Sequence, residues 1–140
     1  MNSFDPSFAN IDGPFTATIN DYFQRELNFK EENGYNIFGE VYPWNYSNVQ
    51  NQFLNVAESL RDAMSKNPDL KVYMGAGYYD FATPYFTAKY DIEHMFLRPE
   101  QRKNVQFYFY ESGHMYYIHK PSLVQFKKDV DAFFEFSRGK

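Results

Sequence analysis

The 140-residue sequence contains no cysteine. This absence excludes disulfide bonds, cysteine-ligated zinc and a cysteine nucleophile. The sequence also has no run of about 18 consecutive apolar residues, so no transmembrane helix is predicted. Residues 1–8 lack the basic start and the apolar stretch of a signal peptide, and we expect none there. Packing and hydrogen bonds must therefore hold any core together.

The chain also has no excess of basic residues over acidic ones. The chain carries 14 Lys and Arg against 18 Asp and Glu, which gives a net charge of −4. Proteins that bind nucleic acid or anionic membranes concentrate basic side chains on one surface, whereas those of this chain are scattered. The sequence therefore predicts neither kind of partner.

Aromatic residues are abundant. They make up 21% of the chain, with 16 Phe and 13 Tyr, and hydrophobic residues reach 44%. So much ring area is typical of a packed globular protein and not of a disordered one. A chain of this length is also long enough to bury a core of its own.

The first third of the chain predicts one helix between irregular segments. Residues 1–13 contain Pro6 and Gly13 and are predicted to be an irregular lead-in. Apolar residues then recur at helical spacing over 15–28, directly after Pro14, which suits a first helical turn. Residues 31–44 contain glycines and a proline and predict a loop, with a short extended piece within 35–42.

From Asn48 onward the pattern alternates between helix and strand. Asn48 is a suitable helix cap, and apolar residues follow it on one helical face. The members of this face are Val49, Phe53, Val56, Ala57, Leu60 and Met64. Residues 70–77 and 104–110 are β-rich runs that predict strands, and Pro84 and Pro121 each begin a helix. Phe86 and Tyr90, with His94 one turn further on, are predicted on one face of the first of these helices. The apolar side of the last helix is predicted to carry Leu123, Phe126, Val130, Phe133 and Phe134. Such alternation predicts an α/β fold with a parallel sheet.

Two residue types with catalytic chemistry follow the two predicted strands. Asp80 comes after the strand that ends near Met74, and His114 comes after the strand that ends near Tyr110. In a parallel sheet the carboxyl ends of the strands lie at one edge, where ligands gather. A carboxylate placed there can hold one imidazole nitrogen while the other accepts a proton from a nucleophile. We therefore predict that Asp80 and His114 form a catalytic pair.

Other arrangements of polar residues favour a structural interpretation. His94, His114 and His119 have no spacing typical of a metal site, so no metal or cofactor is predicted. The adjacent carboxylates Glu31 and Glu32, like Asp129 and Asp131, are more typical of solvated charges than of a glycosidase pair. His119 suits a hydrogen-bonding role near the start of a helix. Taken singly, Asp80 and His114 could also be structural residues.

Two segments of the sequence resemble one known family. "GYYDFATP" and "YESGHMYYIHKPS" are similar to the Asp and His segments of serine carboxypeptidases, which are α/β-hydrolases, and especially to their bacterial members. The similarity extends over nearly the whole chain, including "VYPWNY" and "NVAESLRDAM". It implies the C-terminal part of an α/β-hydrolase fold, with parallel strands and flanking helices. Residues 1–47 would then be a cap-type or linker segment with one helix, and 48–140 the C-terminal hydrolase segment.

The resemblance also implies functional roles. Asp80 matches the acid and His114 the base of the catalytic triad, and Met115 would help to wall the leaving-group side of the site. The expected parent enzyme is a peptidase that releases C-terminal residues from peptide substrates. Its family suggests a secreted or periplasmic location.

The expected nucleophile is absent from this chain. The serine of an α/β-hydrolase lies in a Gly-x-Ser-x-Gly turn upstream of the Asp. None of the serines here is flanked in that way: Ser3, Ser7, Ser47, Ser59, Ser65, Ser112, Ser122 and Ser137. We therefore expect the chain alone to be inactive and to bind a missing N-terminal half or to associate with itself. The alternative is a non-catalytic α/β interaction module.

Overall fold

The computed structural model describes residues 6–36 and 43–139. The chain divides into two compact units, one that extends to Asn51 and one that begins at Gln52. Each unit has its own secondary structure and is considered separately.

Helix α1 of the first unit spans Pro6–Asp21 and continues as a π-helical turn over Tyr22–Glu26. The prediction of an irregular lead-in is therefore wrong from Pro6 onward. The helix can begin there because a proline in the first turn costs no backbone hydrogen bond. Pro14 lies inside the helix, and the Thr18 hydroxyl donates to the Pro14 carbonyl at 2.7 Å.

The segment after the π-helical turn folds back through one polar side chain. Asn28 has a positive φ of 50°. The Asn20 side chain accepts the Tyr35 N–H at 2.7 Å and donates to the Tyr35 carbonyl at 3.3 Å. The Phe23 ring meets the rings of Phe29 and Tyr35 edge-on. Most of the extended piece predicted within 35–42 lies outside the described residues.

The second unit contains a two-stranded parallel sheet. Strand β1 spans Val72–Gly77 and strand β2 spans Val105–Tyr110, with a register that pairs Val72 with Val105 and Gly77 with Tyr110. Both predicted strands and their parallel pairing are confirmed, and the unit is a mixed helix and strand structure. Four helices accompany the sheet: α2 (Ala57–Lys66), α3 (Tyr85–Glu93), α4 (Pro99–Arg102) and α5 (Lys120–Ser137).

Helix α2 begins later than predicted. Ser47–Val49 forms only a 3-10 turn, and the helix starts at Ala57. The Asn55 side chain accepts the Ala57 N–H at 2.9 Å, so this asparagine and not Asn48 satisfies a backbone donor at the helix start. Phe53 is fully exposed and takes no part in the apolar face predicted for it.

One face of the sheet is apolar and carries the main core. Met64, Ile92, Met95 and Val105 are buried together, and Val72, Met74 and Phe107 pack against them. The apolar face predicted for α3 was wrong, because Phe86 and Tyr90 are exposed and Ile92 is buried. Ile92 lies about 200° around the helix from Tyr90, so the two side chains point to opposite sides.

The other face of the sheet is formed by tyrosines and packs against α5. The Tyr73 and Tyr108 rings stack with centroids 4.4 Å apart, and Phe126 and Phe133 of α5 meet Tyr73 edge-on. Leu123 and Phe134 were predicted on the same apolar side, but they are 44% and 60% exposed. A two-stranded sheet is too narrow to cover every apolar residue of this helix.

Candidate catalytic dyad

The parallel register brings two loops to one edge of the sheet. Gly77 ends β1 directly beside Tyr110, which ends β2. The Asp80 loop (residues 78–84) follows the first strand, and the His114 loop (residues 111–119) follows the second. Because both strands run in the same direction, the two loops leave the sheet side by side.

Gly77 lets the two loops touch. A Cβ atom at Gly77 would lie under 3.0 Å from the backbone carbonyl oxygens of Ser112 and Gly113. The Tyr79 N–H donates to the Ser112 carbonyl at 3.0 Å, and this bond joins the Asp80 loop to the His114 loop. The close backbone approach therefore requires glycine at position 77.

Asp80 is buried and heavily hydrogen-bonded. Its side chain is 5% exposed. Its Oδ1 accepts the N–H groups of Ala82 and Thr83, both at 2.9 Å, and its Oδ2 accepts the Thr83 hydroxyl at 2.7 Å. Burial by itself raises the pKa, but the bonds from Thr83, His114 and Ala82 outweigh it and lower the pKa of Asp80 to about 2. The carboxylate is therefore ionised at neutral pH.

His114 completes a dyad with Asp80. The distance from His114 Nδ1 to Asp80 Oδ2 is 2.8 Å. An ionised carboxylate can only accept, so Nδ1 carries the proton in this contact. In the neutral ring Nε2 is then the nitrogen with a free lone pair. The His114 side chain is 63% exposed, which leaves the imidazole accessible to another group.

Thr83 is a member of the site that the sequence analysis missed. Its hydroxyl lies 2.7 Å from Asp80 Oδ2 and 3.3 Å from His114 Nδ1. The signal was present in "DFAT", because a Thr three residues after an Asp can return both its N–H and its hydroxyl to the carboxylate. Thr83 thereby orients the acid without being a candidate nucleophile, since it approaches Nδ1 and not Nε2.

A cavity of about 530 Å³ opens beside the dyad. Asp80, Thr83, His114 and Tyr116 are among its polar lining residues. The rest of its wall is mainly apolar, with Leu60, Met74, Ala88, Ile92 and Met95 among the lining residues. Met115 is half-buried and is not among these lining residues, and its role in the site stays a prediction.

The other two histidines bond within their own elements. His94 Nδ1 lies 2.7 Å from the Tyr90 carbonyl oxygen, and the two rings stack. His119 Nδ1 lies 2.8 Å from the hydroxyl of the buried Ser122, close to the start of α5. No group of three or more acidic or histidine side chains in residues 6–36 and 43–139 is arranged to hold a metal ion.

No serine with a described side chain forms a hydrogen bond with His114. Ser65 donates to the Arg61 carbonyl, and Ser122 is bonded to His119. The geometry therefore provides an acid and a base, but the part of the chain described here offers them no serine hydroxyl.

Comparison with family models, with curated proteins and with solved structures finds no match for this chain. In the described segments, no helix is both long enough and apolar enough to cross a bilayer.

Proposed function

We propose that this chain supplies the acid and the base of a serine carboxypeptidase-like hydrolase. The observation that carries the proposal is the 2.8 Å contact between His114 Nδ1 and the buried Asp80 carboxylate. The similarity of "GYYDFATP" and "YESGHMYYIHKPS" to the Asp and His segments of that family supports the same assignment. By the same likeness, the fold would be the C-terminal part of an α/β-hydrolase.

The dyad would act as the general base in acyl transfer. When a serine hydroxyl reaches His114 Nε2, the imidazole takes its proton while the serine oxygen bonds to the carbonyl carbon of the scissile peptide. The imidazolium is stabilised by Asp80 and then gives the proton to the leaving amine. A water molecule, activated in the same way, would release the peptide acid and restore the serine.

The hydroxyl must come from another polypeptide segment. Among the described residues β1 pairs only with β2, so its outer edge is free for a further strand. The apolar cavity lies along the same strand, where Met74, Gly75 and Ala76 line it. An added strand would satisfy the backbone of β1 and cover this apolar surface. The proposed partner is the N-terminal half of such a hydrolase, with a Gly-x-Ser-x-Gly turn.

Reassembly tests this function. We would co-express the chain with the N-terminal half of a bacterial serine carboxypeptidase and assay release of the C-terminal residue from a blocked dipeptide. Activity is expected in the complex and should fall by about 10³-fold or more in His114→Ala, because the base is lost. His119→Ala is the matched control and should retain activity. A purified complex that is inactive, or as active with His114→Ala, contradicts the proposal.

A second candidate is a self-associating module without catalysis. The free edge of β1 and several strongly exposed rings favour it, among them Phe53 at 101%, Phe81 at 95% and Phe96 at 87%. Strand edges and exposed apolar side chains promote pairing between copies. Sedimentation velocity tests this candidate, because the module would dimerise alone at micromolar concentration. The reassembly assay distinguishes it from the hydrolase, since a module without catalysis stays inactive in the complex. A monomer at all concentrations rules it out.

A further inference from the structure

A chain of hydrogen bonds ties α5 to the end of β2 on the tyrosine face. Tyr110 is 3% exposed, and its hydroxyl donates to Asp129 Oδ2 at 3.0 Å. The Tyr73 hydroxyl contacts the Tyr110 hydroxyl and must be the donor, since the Tyr110 proton is directed to the carboxylate. Gln125 donates to Asp129 Oδ1 at 2.7 Å. Asp129 is thus the final acceptor of the chain and has no part in the dyad itself.

Tyr110 also fixes a residue of the His114 loop. Its ring stacks on that of Tyr116 with centroids 4.5 Å apart. Phe126 of α5 meets both rings edge-on, at 6.0 Å from Tyr110 and 5.3 Å from Tyr116. The Tyr116 hydroxyl lies over Gly75, where a Cβ would come within 2.7 Å of it. Tyr116 therefore packs against Tyr110, Phe126 and β1 together.

These contacts lie at the two ends of the His114 loop. The imidazole of His114 is largely exposed, so few neighbouring side chains can hold it in place. The loop begins after Tyr110, the last residue of β2, and ends where α5 begins at Lys120. The bond from Tyr110 to Asp129 joins the two elements on either side of the loop and orients the ring on which Tyr116 stacks.

We propose that Asp129 is a positioning residue, which holds His114 against Asp80 through Tyr110 and Tyr116. The inference concerns the geometry of the dyad, and its importance for catalysis rests on the proposed function. Without the carboxylate, the Tyr110 hydroxyl loses this acceptor in a buried place, and the ring is held less firmly. Tyr116 then loses the fixed ring on which it stacks. The backbone of His114, two residues earlier, is held less firmly as a result.

The tautomer of His114 measures this positioning without an activity assay. Contact with Asp80 places the proton on Nδ1, whereas an imidazole released to water favours the proton on Nε2. We would read the ratio of the two forms from imidazole nitrogen chemical shifts, by NMR of the isotope-labelled 140-residue chain at a pH where the ring is neutral. Loss of one buried hydrogen bond should lower the ratio of the Nδ1–H to the Nε2–H form about tenfold.

Four variants define the outcome. Asp129→Ala and Tyr110→Phe should both lower the ratio, because each removes one end of the same bond. Asp129→Asn keeps an oxygen that can accept the Tyr110 proton and should largely restore it. Asp131→Ala is the matched control on the same helix: its exposed carboxylate pairs with Lys127, and the ratio should not change.

Unchanged ratios in folded Asp129→Ala and Tyr110→Phe overturn the positioning role. If Asp129→Ala does not fold, Tyr110→Phe decides alone, because it retains the stacked ring. A wild-type chain without any preference for the Nδ1–H form contradicts the dyad, and so the proposed function, independently of Asp129. A normal wild-type ratio that no variant changes contradicts only the inference about Asp129.

Discussion

The two loops that form the dyad are built in different ways. In the Asp80 loop, the functional side chain is 5% exposed and accepts bonds from Ala82, Thr83 and His114. In the His114 loop, the functional side chain is 63% exposed and its contacts in the site are with Asp80 and Thr83. The Asp80 carboxylate is thus held mainly by its own loop, whereas the imidazole is held by residues of the other loop and leaves one nitrogen open.

This difference is the one that the proposed function would require of each residue. A triad acid must stay ionised and immobile, and buried hydrogen-bond donors provide both. A general base must exchange protons with a partner, so one side of the ring has to be reachable. The comparison predicts that changes at the Asp80 loop mainly affect stability, while changes near His114 mainly affect the orientation of the ring.

The largest effect is expected where the loops touch. Gly77→Ala should destabilise the fold by about 3 kcal/mol, because its Cβ would collide with the carbonyl oxygens of Ser112 and Gly113. The free energy of unfolding from urea titration measures this. Gly113→Ala is the control, since its Cβ would meet only the Tyr79 carbonyl oxygen at 3.8 Å. Equal stability of the two variants would show that the loops do not approach as described.

The next largest loss of stability is expected at Asp80, where two variants distinguish the hydrogen bonds of the side chain from its charge. Asp80→Ala leaves two N–H groups and the Thr83 hydroxyl without their acceptor and should cost about 2 kcal/mol. Asp80→Asn retains a side-chain oxygen for the N–H groups and should cost roughly half as much at neutral pH. Urea titrations of both variants test the order, and a reversed order would contradict the role of these bonds.

Acid should remove the advantage of the ionised carboxylate. The folded pKa of Asp80 is about 2, below its ordinary value of 3.8. Its contribution, at most about 2 kcal/mol, is therefore fully present above pH 4 and is lost as the pH falls towards 2. The difference in unfolding free energy between wild type and Asp80→Asn should shrink between pH 4 and pH 2. A constant difference would mean that the carboxylate is not stabilised in its charged form.

The smallest effect is expected at Thr83. Thr83→Val removes the hydroxyl that donates to Asp80 at 2.7 Å and should cost about 1 kcal/mol. Thr83→Ser keeps that hydroxyl and serves as the control. Thermal unfolding compares the two, and a Thr83→Val chain as stable as Thr83→Ser would remove Thr83 from the support of the acid.

Local patterns predicted the two strands of the second unit well and the starts of helices α1 and α2 less well. The β-rich runs that became β1 and β2 stand between turn residues, and Pro121 marked the first turn of α5. The start of α1 was missed because Gly13 and Pro14 suggested a break that the helix tolerates. Asn48 and Asn55 are equally good caps by residue type, and only packing selected the second.

The sequence by itself determined that two strands lie parallel and that an Asp and a His follow them. Alternation of strand and helix is a local property, and the direction of the strands then brings the two residues to one edge. Only the tertiary structure decided three contacts: the Thr83 hydroxyl donates to Asp80, the backbone of the His114 loop packs against Gly77, and Tyr110 donates to Asp129. These contacts join residues from separate elements, so distances in space and not spacing along the chain determine them.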